Sequence, residues 1–120
     1  MPMRRDDDLI RSLMFQAEEH DDWRLIETGA LVMNPTPEEN KRAYHIHLLV
    51  DAGLFSQVGN GVFRLTNSGH DWLDAVRDET IWNRTKEVAG RVGGVGLDML
   101  ATIATGYVKQ RLQELGVPLG

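Results

Sequence analysis

The chain has 120 residues, enough for one core, with 42% hydrophobic and 26% charged side chains, an ordinary globular balance. It has no cysteine, which excludes disulfides and thiolate chemistry, and it has no apolar run of the roughly 18 residues that a membrane span needs. The formal net charge of −5 argues against a protein that grips nucleic acid mainly through phosphates. Residues 1–35 hold four Arg against eight Asp/Glu, residues 36–65 three basic against three acidic side chains, and residues 66–120 six against seven, so no segment is strongly positive. The N-terminus, Met1-Pro2-Met3-Arg4-Arg5-Asp6-Asp7-Asp8, has no apolar stretch behind it and does not read as a signal peptide; cytoplasmic placement is expected.

In chain order, Leu9, Ile10, Leu13, Met14 and Ala17 form a helical stripe over residues 7–20, with aspartates at its start. Residues 23–33 read either as short strands around Thr28-Gly29 or as a short helix. Asn34-Pro35 breaks the pattern. Thr36 then suits an N-cap, Pro37 the first helical position, and Glu38-Glu39 the first turn. Ala43, Ile46, Leu49 and Val50 give the helix of 37–52 its apolar stripe, and Gly53 suits its C-cap. Ser56 to Leu65 places two β-prone runs around Gly59-Asn60-Gly61, a hairpin. From Gly69 to about Val92 the pattern is again helical, with two adjoining apolar stripes that include Trp72 and Trp82, expected core or interface anchors. Gly93-Gly94 interrupts it, and a last helix is expected over about 97–115.

The order of helix, "DAGLF", hairpin, "RLTNSG" and helix is that of winged helix-turn-helix proteins. The expected fold is mainly α with a small β-hairpin: one winged domain over 1–120, core 7–92, with an added C-terminal helix. The stretch "AYHIHLLVDAGLF…RLTNSGHDWLDAVRDETIWNRTKE…GGVGLDMLATIATGYVKQRL", with the opening Arg5-Asp6-Asp7-Asp8-Leu9-Ile10, resembles the uncharacterised bacterial and phage family of domains of unknown function numbered 2513. The resemblance implies a winged-helix-like fold and a frequent prophage context. It implies no catalytic residues. Residues 21–35, where the second helix of a helix-turn-helix would lie, match least.

For function, the helix of 37–52 reads as a recognition helix whose solvent side shows Glu38, Lys41, Arg42 and His45, with Asn40 nearby. Lys41 and Arg42 suit phosphates or guanine edges, Asn40 suits adenine, and Arg64 is the one cation of the hairpin. The leading reading is therefore a DNA-binding transcriptional regulator on double-stranded DNA. The alternative is a phage-type module that binds a host protein, such as an inhibitor of the anti-CRISPR kind, since an acidic surface can occupy a basic groove. Small residues on the last helix, with Ala101, Ala104, Tyr107 and Val108 as candidate contacts, suit a homodimer.

No enzyme, metal or cofactor is expected. His45 and His47 are two apart on a helix and point to different sides, and His20 and His70 stand alone. Asp71, Asp74, Asp78 and Glu79, beside Arg77, read as a solvated face. The glycines of 90–96 have no strand before them and no Lys-Ser/Thr after them, so they read as a helix-to-helix hinge and not a phosphate loop.

Overall fold

Helix α1 (Asp7–Glu19) starts where Asp6 accepts the Leu9 N–H on its side chain, and it buries Ile10, Leu13 and Met14. Helix α2 (Pro37–Asp51) opens with a full capping box. Thr36 Oγ1 accepts the Glu39 N–H at 3.1 Å, and Glu39 Oε1 accepts the Thr36 N–H at 3.0 Å. It closes with a Schellman turn. Gly53 takes φ +75°, its N–H donates to Val50, and the Leu54 N–H reaches back to Leu49. Strands β2 (Phe55–Gly59) and β3 (Val62–Leu65) form the expected hairpin, with Gly61 at φ +70° in its turn.

A third strand, β1 (Arg24–Ile26), settles the open reading of residues 23–26 in favour of a strand. It pairs antiparallel with β3, so the sheet order is β1-β3-β2. The small β element is thus a three-stranded sheet, not a hairpin alone. This computed structural model describes residues 3–27 and 33–118. The part of the 23–33 reading that falls on residues 28–32, Thr28-Gly29 included, lies outside the described residues.

The expected helix of 69–92 is in fact two: α3 (Asn67–Val76) and α4 (Glu79–Arg91). Asp78 is the cause of the break. Its backbone is extended, and its Oδ1 accepts the Ile81 N–H at 2.9 Å, which starts a new helix. The two adjoining stripes of the sequence therefore belong to two helices. Gly93 and Gly94, at φ +86° and +105°, end α4 before α5 (Leu97–Glu114). Among the described residues no helix is long and apolar enough to cross a membrane.

The chain forms two compact units, residues 1–71 and 72–120, and α3 crosses the boundary. In the first unit α1 and α2 pack together, α1 on β3 and α2 on β2, around Ile10, Leu13, Met14, Leu25, Ile46, Leu49, Phe55 and Phe63. In the second, α4 packs on α5. There Trp72 donates its indole N–H to the Leu97 carbonyl at 3.0 Å and meets Trp82 edge to face.

One carbonyl joins three elements of the first unit. The Leu54 oxygen accepts the Thr66 N–H, and the Thr66 hydroxyl donates to Gly53 with Leu54 also in reach. Thr66 Oγ1 in turn accepts the Gly69 N–H at the start of α3. The "AGL" and "LTNSG" runs are thus the two halves of one hydrogen-bonded junction.

Candidate binding surface

Of the residues predicted to face a ligand from α2, His45 and Arg42 turn toward the protein, whereas Glu38, Asn40 and Lys41 are exposed. His45 is fully buried. Its Nε2 accepts the backbone N–H of Asp6 at 2.7 Å, so the proton sits on Nδ1, which donates to the Lys41 carbonyl at 2.7 Å. The expectation that His45 lies on the solvent side is corrected. The apolar stripe carries the reason: His45 immediately precedes Ile46 and stands one helical turn before Leu49, inside the buried arc.

Lys41 is exposed but donates to Asp6 Oδ2 at 2.9 Å, across to the start of α1. Arg42 turns inward. Its Nε reaches Glu27 at 2.7 Å and its Nη1 reaches Gln16 on α1 at 2.8 Å. Only 8% of the Glu27 side chain is exposed, so the pair is largely removed from water. Asn40 is exposed. Arg64 does not join these residues. It alternates along β3 with buried Phe63, whose ring meets His47 of α2, and so it projects from the opposite face of the sheet. There it stands opposite Arg24 in register and lines a concavity of about 390 Å³ with Trp23, His20 and His70.

The solvent face of α2 is Asn40, Tyr44, His47 and Asp51, at helical spacing. Neither Tyr44 nor His47 was named from the sequence as a contact residue. The signal was available, since both flank the buried arc, but the Tyr-His-Ile-His run admits a phase error of one residue. Next to this face α2 packs on β2, whose far end exposes Gln57 and, at 44% exposure, Val58. The combined surface is aromatic, amide and apolar, with one carboxylate, Asp51, at the C-terminal end of α2. Its one lysine is already ion-paired.

Three carboxylates of the described residues are held acidic by partners. Lys41 keeps Asp6 below the ordinary carboxylate range. The Arg24 guanidinium lowers Asp22 to about 2. The Ile81 N–H, then Arg111, lowers Asp78. Each folded-state value lies below its unfolded value, so the unfolded chain takes up protons first as acid is added. The stabilisation is complete above about pH 4 and is lost as pH falls toward 2. Urea midpoints at constant ionic strength are expected to be flat from pH 7 to 5 and to drop below pH 4. Among the described residues no three His, Asp or Glu side chains converge on a metal-sized site.

The four residues named for a dimer contact are not one exposed face. Ala104 is buried against the rest of its own unit, and Tyr107 lies under the Arg84 guanidinium, 5.7 Å from its ring centroid. Ala101 and Val108 are half-buried.

Comparison with known proteins gives two matches. The model of the family described as "Hypothetical protein (DUF2513)" matches residues 4–96. An uncharacterised protein of Haemophilus influenzae is 28% identical over 121 residues, covering 92% of this chain and 99% of that relative. No solved structure matches the chain.

Proposed function

The chain belongs to the DUF2513 family of hypothetical proteins, and from its geometry we propose that it is a non-enzymatic winged-helix module that recognises a protein partner. The winged-helix reading rests on the order α1-β1-α2-β2-β3 with sheet order β1-β3-β2, in which α2 takes the recognition-helix place and the hairpin the wing. The observation that carries the choice of partner is the internal pairing of both α2 cations, Lys41 with Asp6 and Arg42 with Glu27. Charge points the same way. Residues 1–71 hold seven Lys/Arg against twelve Asp/Glu, so the whole net charge of −5 lies on the winged unit. An exposed Tyr44 beside His47 and Val58 suits a protein contact, where aromatics are enriched and charge is depleted at the centre. A catalytic reading finds little support, because Asp74 pairs with Arg77 and Asp78 is both a helix cap and the partner of Arg111.

A DNA-binding regulator is the second reading, favoured by the same element order and by the exposed Asn40. Two measurements separate them. Immobilised protein is expected to retain a protein from nuclease-treated host lysate, and Tyr44→Arg with Val58→Asp to lose it. Fluorescence anisotropy is expected to register no duplex binding even at about 50 mM salt. A duplex shift at that salt that disappears with Lys41→Glu and Asn40→Ala, with no protein retained, would overturn the proposal.

A further inference from the structure

Among its described residues the second unit carries a partly exposed apolar face. Along α5 and its C-cap, Ala101, Thr105, Val108, Leu112 and Leu115 recur at spacings of four and three, the seam that two paired helices present to each other. None of the five is fully buried, and Leu115 is 74% exposed. The C-terminal half of this stripe opens into a concavity of about 370 Å³ shared with Ile81 and rimmed by Asp74, Arg77, Asp78 and Arg111.

We propose that a second copy of this chain docks on this face, α5 against α5, as a two-fold dimer. Charge identifies the occupant. The rim holds two aspartates and two arginines, paired within the protomer as Asp74–Arg77 and Asp78–Arg111, and two-fold symmetry can exchange these partners so that the arginines of one copy meet the aspartates of the other. Residues 72–120 hold six Lys/Arg and six Asp/Glu, so this unit meets its own copy without net repulsion. The first unit, which bears the −5, does not have that property. The contact is shifted toward the C-terminus from the one read in the sequence: Ala101 and Val108 are retained, Ala104 and Tyr107 pack inside the protomer, and Leu112 and Leu115 replace them.

Sedimentation equilibrium of the full chain between about 1 and 100 μM tests this. The expected result is the mass of two chains, dissociating on dilution. Leu112→Glu with Leu115→Glu is expected to raise the dissociation constant about 100-fold or more while leaving the helical circular dichroism unchanged, because two carboxylates would be buried per chain. The chain has no cysteine, so Val108→Cys, at the middle of the seam, supplies an independent readout: an interchain disulfide under mild oxidation. A single-chain mass throughout that range, or a dimer that neither responds to the double substitution nor crosslinks through residue 108, overturns the proposal.

Discussion

Arg42→Ala is expected to lower the stability of the fold by about 2–3 kcal/mol, not merely to weaken a ligand contact. The cost comes from what stays behind. Glu27 keeps 8% of its side chain in contact with water, and without the guanidinium its carboxylate loses its partner at 2.7 Å. Gln16 loses the bond that ties α1 to α2. Arg42 itself is 30% exposed, which places the expectation just below the range of about 3–5 kcal/mol for a fully buried pair. Removing both charges, as Arg42→Met with Glu27→Leu, is expected to recover most of the loss, and urea denaturation of the four-member cycle measures the coupling. If Arg42→Ala changes stability by less than about 0.5 kcal/mol and instead abolishes nucleic-acid binding, then the guanidinium serves a ligand and the pairing described above is incidental.

Gly69→Ala is expected to cost about 3 kcal/mol or more. A Cβ at this position would stand 2.3 Å from the Leu54 carbonyl oxygen and 2.7 Å from Leu65 Cδ1. The oxygen is backbone and is already held by Thr66, so it cannot yield without opening the junction of α2, the hairpin and α3. The same substitution at Gly106 is a control with the opposite sign. Nothing lies within 4 Å of a Cβ there, and the site is mid-helix in α5, so Gly106→Ala is expected to stabilise by about 0.5–1 kcal/mol. Thermal melts of the two variants read both effects. Equal melting temperatures for Gly69→Ala and the parent protein would show that Leu54 is free to move.

What could be read from the sequence was what neighbours in the chain decide. Thr36, Pro37 and Glu39 cap one another within a single turn, and Gly53 ends the helix by its own backbone freedom. The hairpin is equally local. The candidate surface was misread where the deciding partner is remote. Asp6 lies 35 residues before Lys41, and Glu27 lies 15 before Arg42, so composition counted two free cations where folding leaves two ion pairs. His45 was misplaced for a related reason. Its place inside the buried arc could be read from Ile46 and Leu49, but the remote Asp6 N–H that satisfies its Nε2 could not. The break between α3 and α4 is a third case. Asp78 sits in a run that could continue as helix, and its capping role is visible only through the Ile81 N–H and Arg111.

The order β1-β3-β2 also sets the sequence in which the first unit can assemble. Its middle strand is the last of the three in the chain. The β2–β3 hairpin closes over a short turn, an event of about 1–10 μs for hairpins in general. Arg24, however, pairs with Arg64, and a loop of that length must close before β1 gains any partner. On the ribosome, α1 and β1 therefore emerge well before the strand that completes their sheet. During synthesis the N-terminal third of the molecule carries Ile10, Leu13, Met14 and Leu25 uncovered, and it becomes a folded unit only once Leu65 has left the exit tunnel.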